Sequence, residues 1–477
     1  MQLRDVYPLI CLSGQGRAFW PVSRKAFPRQ LSRLTNGRSP FQIFLQGTRD
    51  MRLAEPVLVA ERESLFLIEE QLREISMPSR ATILEPLHRG SAASICAATE
   101  LVAQKEPDAL FLIILSENMR IDQEALREAL TAARPAAQDG QLVLFGQRPA
   151  EIDPSRDYIE LVHGAADAPV AQAFAQFISQ PDRATAEAMH ETDRYLWSAD
   201  LVLASAKTLR AAFGRHSGST RAAVRRALRE GSADRGIYGL GPSFSACDTA
   251  SFAEAILQHE EGSVVALANG ARNMNSWRDF WREAGQDENG VAIKGSAVAT
   301  RSRNSLLHNT VPGIHLVGLG LDNVVGIVTP DAVLIADMDA VDDLPATVDQ
   351  LESLNLTQVT EMPTQSHSWG RHETLDRGNR HKIRMLEIKP GRSLPLERHA
   401  NRTESYQVLE GTARLVSNGE LTYLSEGETG FVRPGEAHTL ENPGRVPVRL
   451  LQVIVGAYLG DDDVENIEED APSFVSQ

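Results

Sequence analysis

Two hydrophobic rhythms divide this chain. In the first half, short apolar runs at Val6–Leu12, 56–60, 109–115 and 141–145 alternate with stretches of helical period such as 64–75 and 122–133. Strands alternating with helices predict a largely parallel, doubly wound α/β sheet. From about residue 290 to 354 the runs become short and glycine-studded, as in 311–320 and 323–328, and predict small stacked strands like those of a left-handed β-helix. A helix is expected over 344–354, then a polar linker over 355–372 in which His367 and His372 read as solvated residues. Beyond it the period falls to two, with breaks at Gly411, Gly419, Gly427 and Gly435, which predicts antiparallel strands of a small barrel or sandwich.

Composition adds limits. A length of 477 residues is too great for one ordinary core and implies two or three domains. A net charge of -16 argues against a nucleic-acid partner, though not against a local basic pocket for phosphates. Cys11, Cys96 and Cys247 are scattered without a pairing or metal-ligand pattern. No apolar run reaches membrane-spanning length and no signal-peptide layout opens the chain, so a cytoplasmic protein is expected. The acidic stretch 461–469 reads as a solvated end.

Candidate chemistry sits in two places. Glu397 and His399 are two apart and so share one face of a strand; Glu404 and His438 would join them through strand pairing. Two imidazoles and two carboxylates suit a divalent metal such as Zn, Mn or Fe. The alternative is a set of surface charges on a barrel that binds no metal. At the other end, Gly14-Gln-Gly16 follows the first strand, where backbone amides commonly meet a phosphate; a plain tight turn would look the same.

The spacing of the C-terminal ligands, with its glycines and the Pro434-Gly435-x-x-His438 turn, resembles the paired motif of the cupin barrel, from which Glu397 departs as first ligand. The start of the chain, through Gly14, Gly16, Trp20-Pro21, Ser23-Arg24, Pro28, Gln30 and Ser39-x-Phe41-Gln42, resembles the mannose-1-phosphate guanylyltransferases. That likeness continues through Glu85-Pro86, Tyr195-Leu-Trp197, Ser276-Trp277 and Asp287-Glu-Asn-Gly290, and into the barrel at Trp369-Gly370 and 440–444. Nearly the whole chain is therefore similar to the bifunctional, type II form of that family. The resemblance implies a Rossmann-like nucleotidyltransferase domain over 1–288, a β-helix connector over 289–354, a linker over 355–372 and a cupin, mannose-6-phosphate isomerase-like domain over 373–477. It implies sugar phosphates and GTP as partners, a divalent metal in the cupin domain, Mg²⁺ in the first domain if that domain is active, and room for a homo-oligomer.

The departures from the family fall on charges. Arg17 stands one place early, with Ala18 where the family has its loop Arg; Glu117 stands in a Leu115-Ser-Glu-Asn118 turn where the family has Pro-Ala-Asp-His. The family's phosphate-binding Lys is here Gln180, its Asn-Ser-Gly is Ser198-Ala-Asp200, and its Trp-Ser-Asp-Val-Gly is 271–275, which removes a metal carboxylate. Arg24 and Arg29 remain as a basic rim beside Gly14, Gly16, Arg17 and Glu117, the residues expected to meet phosphate. Nucleotidyl transfer lives on positioning and charge neutralisation, and each lost charge-assisted contact costs about 2–4 kcal/mol. In the barrel, the family's Gln-Met-His-His-His-Arg-Ala-Glu-His-Trp is here the run 397–406, with His399, Arg402 and Glu404 kept. Arg402 would grip a sugar phosphate or steady an enediolate; a structural ion pair with Glu404 reads equally well. Three functions follow: a bifunctional enzyme of GDP-mannose and polysaccharide synthesis, a ligand-binding pseudoenzyme, or a cupin metalloenzyme acting on another sugar.

Overall fold

The structure is a computed structural model that describes residues 3–12, 16–24, 27–33, 37–115, 121–164, 169–268, 276–354 and 356–467. Gly14, Glu117 and the segments 116–118 and 271–275 lie outside these residues. The chain divides into two compact units, Met1–Glu361 and Met362–Gln477.

In the first unit, Val6–Leu12 lies between Leu110–Ile114 and Val57–Glu61, with Ala81–Glu85 beyond, all parallel. These four strands are almost wholly buried, which is why they read as continuous apolar runs rather than alternating ones. They form the centre of an eleven-stranded sheet, extended on one side by antiparallel Tyr195–Ser205. Separate apolar clusters cover its two faces. One gathers the helix Gly90–Val102 with Phe213 and Phe252; the other gathers Phe41, Ile68 and Leu126 from three helices. The doubly wound reading therefore holds. The helix Pro40–Asp50 starts on a capping box between Ser39 and Gln42, with Pro40 at its first position.

The connector also matches its sequence pattern. Ala292–Gly295, Leu306–Asn309 and Val324–Val328 stack in parallel, as do Ala297–Thr300 and Leu316–Leu319. Its inward residues Ala292, Leu306, Val325 and Ile327 share one apolar cluster with Phe19, Trp20, Trp277 and Val348. Val348 belongs to the helix Leu344–Ser353. The segment after Gly16 and the connector thus share one apolar core.

The second unit is a barrel of a six-stranded and a five-stranded sheet. Here the expected linker is corrected: Thr364–Ser366 and Gly370–Arg377 are paired barrel strands. His372 is 5% exposed, and His367 Nε2 lies 2.8 Å from His372 Nδ1 while its ring stacks 4.7 Å over Trp369. Both histidines are packed residues, because the strand pairing that hides them is long-range and invisible in a polar local sequence.

Candidate functional site

Strand alternation builds the barrel site. Along Arg402–Glu410 the residues Arg402, Glu404, Tyr406 and Val408 turn inward, and along Val448–Gly456 so do Val448, Leu450, Gln452 and Ile454. Tyr406 pairs with Gln452 across this ladder, while Glu397 pairs with His438 on the other sheet. His399, Glu404 and His438 therefore converge in the interior, each about 1% exposed, with one ligand atom apiece mutually within 4.8 Å. Nδ1 of His399 donates to the Arg402 carbonyl at 3.0 Å and Nδ1 of His438 to the Glu436 carbonyl at 3.2 Å. With Nδ1 so anchored, each ring in its neutral form turns an Nε2 lone pair inward, the arrangement that orients imidazoles toward a metal. His399 Nε2 is buried with no hydrogen-bond partner, an orphan that a metal would satisfy.

Electrostatics favour positive charge at the same point. Burial works against the Glu404 carboxylate, yet hydrogen bonding to His438 and Tyr406 and the positive charge of Arg402 hold it down at about 2. Burial lowers His399, the direction that favours the neutral imidazole a metal ligand must be. Burial also opposes protonation of His438, but Glu404 and Glu397 outweigh it and raise that group. Glu397 stands beside the three, its Oε1 3.9 Å from His438 Nε2, with 19% of its side chain exposed where theirs are 0–2%. Burial and the charge of Glu404 raise the Glu397 carboxyl. Arg402 donates from Nε to Glu404 Oε1 at 3.1 Å and is 7% exposed. Two groups outside the expected set of site residues join it. Tyr406 donates to Glu404 Oε2 at 2.5 Å, and Gln452 Nε2 donates to the same oxygen at 2.8 Å. Their inward parity, two residues from Glu404 in one case, was the available signal.

The second candidate site is a cleft of about 640 Å³ in the first unit, lined by Gly16, Arg17 and Arg29 on one side and by Asp157, Gln180 and Asp200 among others. Gly16 has φ of +59°, and a Cβ there would sit 2.6 Å from the Arg24 carbonyl, so only glycine fits this turn. Arg17 reaches the cleft but is held by Asp349 at 2.8 Å and Glu352 at 3.2 Å, both on the helix Leu344–Ser353. Arg29 is 2% exposed, its guanidinium 3.7 Å over the Phe19 ring. Arg24 is not a phosphate ligand: it is 0% exposed, with its donors committed to Asp331 and to the carbonyls of Pro21, Gln358 and Glu361. Gln180 and Asp200, at the family's Lys and Gly places, both have positive φ. Asp157 accepts from the Ser179 hydroxyl at 2.7 Å and the Gln180 amide at 3.2 Å, and its burial raises its carboxyl. The cleft thus carries two carboxylates, Asp157 and Asp200, in its lining and a neutral amide, Gln180, at the family's Lys position.

A family model described as nucleotidyl transferase matches residues 7–281, and one described as mannose-6-phosphate isomerase C-terminal matches residues 356–469. Alginate biosynthesis protein AlgA of Pseudomonas putida is 28% identical over 97% of this chain and 95% of its own length. Xanthan biosynthesis protein XanB of Xanthomonas campestris pv. campestris is 29% identical over 98% and 99%, and mannose-1-phosphate guanylyltransferase ManC of Salmonella typhimurium is 29% identical over 98% of each. A solved structure from Thermus thermophilus, described as a mannose-1-phosphate geranyltransferase, superposes with a TM-score of 0.60 at 23% identity, covering 73% of this chain and 99% of that one, a likeness of fold. Among the described residues no helix is long and apolar enough to cross a membrane. With the first model spanning more than half of its length and the second covering the barrel, the chain belongs to the nucleotidyl transferase family, in the form that carries a mannose-6-phosphate isomerase C-terminal domain.

Proposed function

We propose that this chain acts on hexose phosphates through its barrel, as a metal-assisted aldose–ketose isomerase of the mannose 6-phosphate type, and that its N-terminal cleft binds without transferring a guanylyl group. The observation that carries the first part is the convergence of His399 Nε2, His438 Nε2 and Glu404 in a buried interior, with both Nδ1 atoms anchored. These three residues would hold the divalent ion, which supplies polarisation of the open-chain carbonyl. Glu397, the most exposed carboxylate of the site, is the group that carries a proton from C2 to C1 while the hydroxyl proton passes from O2 to O1. Arg402 is a positioning residue in this reading, because its Nε is spent on Glu404. Support for the second part is the engagement of Arg17 by two carboxylates and the burial of Arg24, which leave the cleft poor in cations for a triphosphate.

The test is one preparation in two assays: mannose 6-phosphate with the metal-loaded protein, and GTP with mannose 1-phosphate and Mg²⁺. Turnover is expected in the first and none in the second. His438→Ala should lower the first by at least about 100-fold, as loss of a metal ligand would. GDP-mannose in the second assay overturns the reading of the cleft. A metal-loaded protein with no isomerase turnover overturns that of the barrel.

A further inference from the structure

The chain carries a net charge of -16, yet from residue 206 to 230 it holds seven Lys and Arg against one acid, Glu230. This stretch folds as the helices Ala206–His216 and Gly218–Glu230, which pack on the helix Gly90–Val102. Three of the cations converge on one carboxylate of that helix. Glu100 is 4% exposed and is paired with Arg210, Arg221 and Arg225, all of them at least a quarter exposed on their side chains. Each guanidinium approaches through Nε. Arg210 and Arg221 stand 3.3 and 2.6 Å from Glu100 Oε1, and Arg225 stands 3.9 Å from Oε2. A guanidinium that spends Nε inward keeps its Nη groups for another acceptor. Among the described residues those of the three arginines have no hydrogen-bond partner.

The other acids on or beside these two helices are engaged elsewhere. Asp248 accepts from the Ser219 and Thr220 hydroxyls at 2.7 and 3.0 Å, and Glu230 accepts from the Ser243 hydroxyl at 2.7 Å. Glu260 is held by Arg215 at 2.6 Å and lies 2.8 Å from His216 Nε2. One carboxylate therefore answers three guanidiniums. The excess is unfavourable to the helix itself: Arg221, Arg225 and Arg229 repeat every four residues, where like charges repel, and Arg221 closes the first turn, where the dipole disfavours a cation. Charge gathered at such a cost, and not neutralised by the chain, fits a site completed from outside.

We propose that Arg210, Arg221 and Arg225 bind the phosphate or diphosphate group of a small molecule on their outward Nη groups. Phosphate oxygens accept paired N–H bonds from such forks, which a lysine ammonium could not supply. Glu100 is a positioning residue that sets the three forks. None of the arginines lines the 640 Å³ cleft, so this is a second site. One helix joins the two: Ser91 at its start lines the cleft, and Glu100 lies about 14 Å further along its axis.

Hydrogen–deuterium exchange of the full chain, with inorganic pyrophosphate titrated at fixed ionic strength, reads this site separately from the cleft. Peptides from 206–230 should be protected, and the pyrophosphate concentration for half-protection reports the local Kd. Arg210→Gln with Arg225→Gln keeps Arg221 on Glu100 and should raise that concentration about tenfold or more. Arg226→Gln, about 100° round the helix from Arg225, should change it less than about twofold. Exchange elsewhere in the chain checks that each variant is folded. No protection of 206–230 at millimolar pyrophosphate overturns the site, as does protection undiminished in the double variant. An equal loss in Arg226→Gln, or equal protection by chloride at the same ionic strength, also overturns it and leaves a solvated basic face.

Discussion

The cleft of the first unit and the interior of the barrel treat their charges in opposite ways. In the barrel, lone pairs converge: His399 Nε2 has no hydrogen-bond partner, and Glu404 is fixed by Arg402, Tyr406 and Gln452 in a place where positive charge is favoured. In the cleft, the charges are already answered from within the chain. Arg17 is paired with Asp349 and Glu352, Arg24 with Asp331, and Asp157 with a hydroxyl and an amide. A site ready for a ligand keeps polar groups whose partners are missing, while a fold that only carries the motif pairs them internally. Family motifs survive in both units, but in the first they are chiefly the residues that make the fold.

The largest effect that separates these two uses is at Asp331. Arg24 is fully buried and its charge is balanced by this carboxylate, which is 24% exposed on its side chain. Asp331→Ala leaves a buried guanidinium with carbonyl acceptors only, and should cost about 2–3 kcal/mol, somewhat below the range for a wholly buried pair. Four of the five tryptophans (Trp20, Trp197, Trp277 and Trp281) lie in the first unit, so fluorescence reports mainly on that unit as denaturant is raised. Its midpoint should fall. If instead Arg24 served phosphate, the substitution would free it, and the affinity for an inorganic anion would rise without loss of stability.

Arg24 also marks where the sequence stops being legible. Its partner is 307 positions away, and nothing local distinguishes a motif Arg that binds phosphate from one that pins a loop to the connector. Ser39 and Gln42, quoted by resemblance alone, prove to be the two halves of a capping box. The barrel was easier to read because a strand's period of two sorts inward from outward positions without any knowledge of partners. That rule set Glu397 with His399 and would have added Tyr406 to Glu404. The three-residue cluster still needed the register of Tyr406 against Gln452 and of Glu397 against His438. The buried histidine pair at 367 and 372 was missed for the same reason as Arg24: its cover comes from strand pairing, not from its neighbours in sequence.

That pair supplies the next effect, a pH dependence of the barrel alone. Burial, helped by the charge of Arg384, lowers His367 to about 4 and His372 to about 3. In the unfolded chain both titrate near 6.5. Below about pH 6.5 the unfolded state therefore binds protons that the folded barrel refuses until about pH 4, so stability falls as pH drops through that window. At pH 4.5 the loss should be on the order of 2 kcal/mol for each histidine. His372→Gln retains an acceptor for its neighbour and cannot titrate. The denaturation midpoint of the barrel, compared at pH 7 and pH 4.5, should change less in this variant than in the parent. Equal slopes would mean that the pair is open to water, and that the contrast between buried barrel and paired cleft has been drawn too sharply.

The smallest effect tests the cleft most directly. Asp349 and Glu352 are three apart on the helix Leu344–Ser353 and so share a face toward Arg17. Their side chains are 51% and 32% exposed and that of Arg17 is 29% exposed. Water screens such pairs, so the double substitution Asp349→Asn with Glu352→Gln should change stability by less than about 1 kcal/mol. What it changes is availability. A guanidinium released beside the Gly16 turn can meet a phosphate bidentately, and one partly exposed contact of that kind is worth about 1 kcal/mol, or roughly fivefold in Kd. Calorimetry with pyrophosphate on the parent and on the double variant measures that gain. An increase in affinity at unchanged stability would mean that the connector helix holds Arg17 off the cleft, so that internal pairing is what separates the front of this chain from a working phosphate site. Unchanged affinity would place the deficit elsewhere in the cleft, at Gln180 and Asp200, where a neutral amide and a carboxylate occupy the family's Lys and Gly positions.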